Sequence, residues 1–289
     1  MSDLSSTAPA DWQAALARIT GGAIHRVLVL GAPNAGKSTF CSMVLAHAAG
    51  LSRRAALLDA DPGQKSVGPP GCVTLGGIGE SGEPVLAGLA YLGTVEPLGG
   101  WARLIAGCTF LAGKARGELL VVNTCGLLRG PGRRLKRAMI SALRPDLLVA
   151  ISGGPDLEAV LEDHPMVPAV TLVRSPLARR KGEGERRALR RAAFRRYFEA
   201  APVWALPAAG ISLQSDTGEP HPSPGRLVAL MDEAGTDLAL GLVIRLDLPG
   251  SLVLRAPLPN RPVAGLRWGS LGLDEVWAEH RATASNRPD

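Results

Sequence analysis

The stretch Gly31-Ala-Pro-Asn-Ala-Gly36-Lys37-Ser38 spaces two glycines, a lysine and a hydroxyl as GxxxxGK[ST] does. The chemistry served by that spacing is phosphate binding. Glycines let successive backbone N–H groups turn inward around phosphate oxygens, and a helix opening at the lysine adds its partial positive charge. Lys37 is placed to reach β- and γ-phosphates and Ser38 to hold Mg²⁺ through its hydroxyl. Gly31, Asn34, Ala35, Gly36, Lys37, Ser38 and Thr39 are therefore the expected contacts of a nucleotide's phosphates. Two carboxylates follow in Asp59-Ala-Asp61-Pro-Gly63-Gln64. Both are candidates for the metal, although Asp, Pro and Gly in this order also make an ordinary turn.

The elements needed to position these groups are legible around them. His25 to Leu30 is an apolar strand running into the glycine loop. A helix with Phe40, Met43, Val44 and His47 at helical spacing stops at Gly50, and a second strand, Ala55 to Leu58, ends in the aspartates. A carboxylate at a strand's C-terminal edge faces the ligand crevice of a parallel sheet. Pro69 to Tyr91 reads as a glycine-rich β-hairpin, with a helix from Leu98 to Lys114 after it. Strands at Glu118–Asn123, Leu147–Ser152 and Ala169–Val173 then alternate with helices around Arg133–Leu143 and Asp156–Glu162. This alternation predicts an α/β P-loop NTPase fold, a mostly parallel sheet flanked by helices. After Pro207 short strands separated by Gly and Pro predict a small β-rich C-terminal domain. The expected division is 1–24 as a leader with a helix at Asp11–Ile19, 25–206 as the nucleotide domain, and 207–289 as the β-rich domain.

Charge is concentrated. Arg174 to Arg196 carries ten basic residues against two acidic ones, in a chain whose net charge is +6. Such a segment suits phosphates or a nucleic-acid backbone, and equally a solvated helix face. No uninterrupted apolar run of membrane-spanning length and no signal-peptide pattern are present, so a cytoplasmic location without membrane association is expected. Cys41, Cys72, Cys108 and Cys125 lack metal or disulfide spacing and read as reduced, mostly buried thiols. The absence of an NKxD motif argues against a GTPase. Ile151-Ser-Gly-Gly follows a strand and so lacks the context of a transporter-ATPase signature. Ala32 stands where partition-type ATPases place an extra lysine.

Taken together, Asp59-Ala-Asp61-Pro-Gly63-Gln64, Pro69-Pro70-Gly71, Asn123-Thr124-Cys125-Gly126 and the arginine-rich segment ending Phe194-Arg-Arg-Tyr197-Phe198 resemble the polynucleotide 5′-hydroxyl kinases of RNA processing. That family includes the kinase subunit of the pre-mRNA cleavage machinery and the kinase of ribosomal RNA spacer processing. The resemblance implies transfer of the γ-phosphoryl group of ATP, with Mg²⁺, to a 5′-hydroxyl of RNA or DNA. It implies that Lys37 and Ser38 bind phosphates and metal, and that Asp61 activates the hydroxyl near the metal. Gln64, Thr94, Thr124 and Gly126 would contact the substrate end, the Thr124-x-Gly126 turn acting as a clasp. Residues 174–199 would form a lid, with Arg174 and Arg179 as catalytic arginines at Arg-x4-Arg spacing. An alignment anchored on Phe194–Phe198 favours Arg186 or Arg187 for one of those roles.

Two departures from the family stand out. Leu127 occupies the place of the clasp tryptophan that stacks on the terminal base, a contact worth about 1–3 kcal/mol; Trp101 is a candidate replacement. Only about 25 residues precede the first sheet strand, so a compact form without the N-terminal β domain is expected. Two other functions stay open on these residues: a nucleotide-binding scaffold with weak or no transfer, and a kinase for a small molecule or nucleoside. The sequence names no protein partner.

Overall fold

The computed structural model describes residues 8–79, 84–176, 178–207, 209–247 and 250–281. The first seven residues of the expected leader and the last eight of the expected C-terminal domain lie outside them. The chain begins with α1 (Ala10–Thr20), then β1 (Arg26–Gly31), α2 (Lys37–Gly50), β2 (Ala55–Ala60), and the antiparallel pair β3 (Cys72–Ile78) and β4 (Pro84–Tyr91). It continues through α3 (Trp101–Lys114), β5 (Leu119–Thr124), α4 (Pro131–Leu143), β6 (Leu147–Ile151), α5 (Pro155–Glu162), β7 (Ala169–Leu172) and α6 (Glu183–Phe198). The remainder is β8 (Val203–Pro207), β9 (Ser212–Ser215), β10 (Arg226–Met231), β11 (Asp237–Asp247), β12 (Ser251–Arg255), β13 (Gly265–Leu273) and β14 (Glu279–Arg281).

The first sheet runs β4-β3-β2-β5-β1-β6-β7, with β2, β5, β1, β6 and β7 parallel. Its central strands are apolar along their whole length because helices cover both faces: Leu28, Leu30, Val122 and Leu148 point into one buried layer, Val27, Val29, Val121 and Val149 into the other. α1 closes the second layer by a stripe at helical spacing, Trp12, Ala15, Leu16 and Ile19, all buried. This is the α/β P-loop fold, and the loops after β1, β2 and β5 converge at the C-terminal edge of the sheet. Among the described residues no helix is long and apolar enough to cross a membrane. All four cysteines are buried and unpaired.

The second sheet is mostly antiparallel, β14-β13-β10-β11-β12-β8, with β9 paired to β13. It takes up β8 at Val203, ahead of the boundary read at 207. Pro202 and Pro207 bracket that short run and make it look like a linker, yet it lies at a sheet edge, where proline is tolerated, and pairs with β12 through Leu206 and Leu252. β9 and β14 are three or four residues long, too short to carry a readable alternation.

The two sheets share a core. Cys72, Leu89 and Tyr91 of the β3–β4 hairpin pack with Leu227, Leu240 and Leu271, and Phe194 and Phe198 of α6 sit in the same cluster, one helical turn apart. Asp237 accepts the Tyr91 backbone N–H at 2.7 Å and pairs with Arg267. The Tyr197 hydroxyl accepts the Leu240 N–H at 3.0 Å. The C-terminal sheet thus fixes the rear of α6, the helix whose front carries the arginines of the basic segment.

Candidate active site

A cleft of about 540 Å³ opens over the C-terminal edge of the first sheet. Its walls bring together the loop after β1 (Asn34, Gly36, Lys37, Ser38), Asp61 and Gln64 after β2, Gly126 after β5, and Arg179, Arg186 and Arg190 from the basic segment. The glycine loop has the conformation its chemistry needs. Asn34 (φ 63°) and Gly36 (φ 106°) are left-handed, which turns the chain back so that α2 starts at Lys37. Lys37 Nζ donates to the carbonyls of Gly31 and Ala32, both at 2.9 Å. Ala35 is buried under the loop and Thr39 is exposed in the first turn of α2.

Asp61 Oδ1 accepts the N–H groups of Gly63 (2.9 Å) and Gln64 (3.1 Å), an Asx-type turn that leaves the carboxylate at the cleft wall. Burial and the neighbouring Asp59 charge raise its pKa, against the Gly63 N–H and the Lys37 and Lys65 ammoniums. Asp59 lies behind it. Its side chain is wholly buried, with Oδ1 accepting from the Asp61 N–H and from Asn123 Nδ2 (3.1 Å), Oδ2 accepting from Ser66 N–H (2.7 Å), and Lys65 at 3.6 Å. The same Asn123 amide reaches Ser38 Oγ at 3.3 Å. Asp59 is therefore turned away from the cleft and linked to Ser38 through Asn123. Sequence reading quoted Asn123 within a motif but gave it no role, and it missed Lys65, which directly follows the aspartate motif.

The loop after β5 abuts the glycine loop so closely that a Cβ at Gly126 would stand 2.5 Å from Pro33 N. Thr124 is buried and its hydroxyl donates to the Val29 carbonyl at 2.8 Å, so it ties β5 to β1 rather than facing the cleft. Thr94 caps its own turn by accepting the Glu96 N–H, and its neighbours Val95 and Pro97 line the cleft. Leu127 is exposed at the cleft wall, while Trp101 packs on the core under α3. Gln64 donates to its neighbour's carbonyl, Gly63 O, at 2.6 Å.

Of the arginines, Arg179 lines the cleft and is forked onto Glu185 at 2.9 and 2.5 Å. Arg174 is exposed, bonds the Ala178 carbonyl and does not line the cleft. Arg186 and Arg190, one turn apart on α6, do line it, and Arg190 is anchored to Glu279 of the second sheet at 2.7 Å. Arg190 was not singled out from sequence; its i, i+4 spacing from Arg186 was the available signal. The Lys181 N–H bonds Asn34 Oδ1 at 3.3 Å, so the basic segment already touches the glycine loop.

Among the described residues no three His, Cys, Asp or Glu side chains gather into a metal cage. Mg²⁺ does not need one, since it retains waters and takes one or two protein oxygens beside phosphates. The hard-oxygen set of Ser38 and Asp61 fits that requirement, and buried Asn123 Oδ1 is an unbonded acceptor in the amide that touches Ser38.

Lys37 gives a measurable consequence. Burial lowers its pKa from 10.5 to about 8, only partly offset by Asp61. Between those two values the folded protein carries fewer protons at this site than the unfolded chain, and phosphate charge at the ammonium draws the proton back. Nucleotide binding near pH 8.5 should therefore take up protons, read as a binding enthalpy that changes with the ionisation heat of the buffer. A binding enthalpy that is the same in every buffer would mean that Lys37 is already protonated before the nucleotide binds.

Comparison with known proteins places this arrangement. The sequence profile described as mRNA cleavage and polyadenylation factor CLP1 P-loop matches residues 31–200. A polyribonucleotide 5′-hydroxyl-kinase of Pyrococcus horikoshii is 28% identical over 183 residues, covering 61% of this chain and 50% of that protein. A polyribonucleotide 5′-hydroxyl-kinase Clp1 of Danio rerio is 29% identical over 191 residues, 60% of this chain and 43% of that one. The chain thus spans about half the length of the curated relatives it matches. The solved structure of a wild-type Clp1p–Pcf11p complex superposes with a TM-score of 0.72 at 14% identity, over 89% of this chain and 77% of the other, a likeness of fold.

Proposed function

We propose, from the premise that this chain belongs to the CLP1 P-loop family, that it transfers the γ-phosphoryl group of ATP to the 5′-hydroxyl end of RNA or DNA. The observation carrying this reading is the placement of Asp61 in one cleft with Lys37, Ser38 and three arginines. A phosphate-binding scaffold needs the lysine; the half-buried Asp61 carboxylate in the same cleft adds a group that can also accept a proton.

In this reading the inward N–H groups of the glycine loop and Lys37 hold the β- and γ-phosphates, and Ser38 and Asp61 would hold Mg²⁺, which when bound would neutralise charge on the phosphate oxygens. Asp61 accepts the proton of the attacking 5′-hydroxyl as its oxygen bonds the γ-phosphorus, while the bond from that phosphorus to the β–γ bridging oxygen breaks and ADP leaves with the electron pair. Arg179, Arg186 and Arg190 stabilise charge on the moving phosphoryl group, a task suited to planar guanidinium forks. Asp59 acts indirectly: through Asn123 it orients Ser38. Gly126 and Gln64 border the acceptor side, where Leu127 offers a smaller apolar surface than an aromatic ring. The same substitution is the one feature favouring the scaffold alternative, in which ATP is held and little phosphate is transferred.

The test is transfer of labelled γ-phosphate from ATP to 5′-hydroxyl RNA and DNA oligonucleotides. Transfer lost in Lys37→Ala together with ATP affinity is the expected result. ATP binding that depends on Lys37 without transfer to any oligonucleotide would favour the scaffold, and transfer to free nucleosides alone would favour a small-molecule kinase.

A further inference from the structure

One buried cation takes no part in the phosphate chemistry. Lys136 falls on the core-facing stripe of α4 with Leu135, Met139, Ile140 and Leu143, and it is wholly buried. Gly132, one turn earlier on the same face, lets it get there: a Cβ at Gly132 would stand 2.7 Å from the Leu127 backbone, so the missing side chain allows the start of α4 to press on the loop after β5. Lys136 Nζ reaches beneath that loop and donates to Cys125 Sγ at 3.0 Å. Among the described residues this sulfur is its one hydrogen-bond partner, and no carboxylate pairs with it. A buried ammonium needs a counter-charge, and the group in contact that can supply one is the thiolate form of Cys125. The pair also lies within electrostatic range of the phosphate site, since Lys136 pushes the Lys37 pKa down and Cys125 draws it up.

Cys125 lines the cleft, whereas Cys41, Cys72 and Cys108 do not; burial pushes those three thiols up, Cys108 to about 12. We propose that Cys125 is an oxidation site for hydroperoxides entering the cleft, with Lys136 as the proton donor and counter-ion of the reaction. The Cys125 thiolate attacks the terminal oxygen of the peroxide, and the S–O bond forms as the O–O bond breaks. The departing oxygen keeps the electron pair of that bond and takes a proton from the Lys136 ammonium, leaving as water or an alcohol. The sulfenic acid proton then passes to the Lys136 amine, so a sulfenate remains beside an ammonium. Sulfur has lost two electrons and the peroxide has gained them. Gly126 already abuts Pro33, so the loop has no room to shift toward the glycine loop and the added oxygen projects into the cleft. The oxidation itself is independent of the kinase reading; only its effect on phosphate transfer rests on that reading.

The intact chain is treated with hydrogen peroxide in the presence of dimedone, which traps sulfenic acids, and each adduct is located by peptide mass spectrometry. Cys125 should be marked at least about tenfold faster than Cys41, Cys72 or Cys108. Lys136→Met should slow the marking of Cys125 by about tenfold; should that variant fail to fold, the contrast among the four cysteines of the intact chain decides. Equal marking of all four, or no adduct on Cys125, overturns the site, and an undiminished rate in folded Lys136→Met overturns the role of the lysine. With peroxide alone, label transfer to oligonucleotides should fall as Cys125 is oxidised and return with dithiothreitol, and transfer by Cys125→Ser should be insensitive to peroxide. The adduct is read by mass, so a chain that transfers no label still tests the site, and absent transfer counts against the kinase reading alone.

Discussion

Asp61→Asn should lower γ-phosphate transfer to 5′-hydroxyl oligonucleotides by about 10²- to 10⁴-fold, the range for loss of a positioned general base, while ATP affinity changes only a few-fold. The substitution is nearly isosteric. An asparagine Oδ1 still accepts the Gly63 and Gln64 N–H groups that fix the turn, so the loop stays in place and only proton acceptance and charge are lost. Two companion effects separate this from general damage. The wild-type kcat/KM should fall as pH drops through a pKa above the ordinary carboxylate value, because Asp61 works ionised and burial beside Asp59 raises its pKa; the acid limb thus lies higher than for an exposed aspartate. Since Asp61 favours the charged form of Lys37, Asp61→Asn should also move the alkaline loss of ATP binding to lower pH. Unchanged transfer in Asp61→Asn would remove the base from the mechanism.

How much of this site could be read from sequence depended on how local each feature is. The glycine loop and the aspartate turn are short, their residues act through backbone geometry next to them, and both sit where expected. Thr124 shows the limit: its position beside the phosphate loop was readable, but the direction of its hydroxyl is set by the β1–β5 register, which places Val29 O within 2.8 Å. Arg190 and Glu279, 89 residues apart, meet because the second sheet packs on α6, and no local pattern announces that. Trp12 likewise fits an ordinary amphipathic stripe in sequence; its contact with Gly36 arises from packing across the sheet edge. The strand alternation was legible because each parallel strand is uniformly apolar, whereas β8, β9 and β14 are too short or too proline-flanked to separate from loop.

Asp59→Ala should cost about 3–5 kcal/mol of folding stability, the range for removing one partner of a buried ion pair, and should be the most destabilising single change near the site. Asp59 and Lys65 have side chains with 0% and 1% exposure, so neither charge has water to fall back on. Removing the carboxylate leaves the ammonium without its ion-pair partner, beside the Asp59 carbonyl and the charge of Asp61, and takes the acceptor from the Asp61 and Ser66 N–H groups and from Asn123 Nδ2. Lys65→Met should cost less, because the carboxylate it leaves behind keeps those three donors. The double variant Asp59→Ala/Lys65→Met should then be more stable than Asp59→Ala alone, since the stranded charge is gone. Denaturant unfolding of the three variants, analysed as a double-mutant cycle, measures this coupling; a sum of independent effects would mean the pair is not electrostatically coupled. The cycle also separates the roles of the two aspartates. Asp59 supports the site from within the core, and its loss is read mainly in stability; Asp61 stands at the cleft, and its loss is read mainly in turnover.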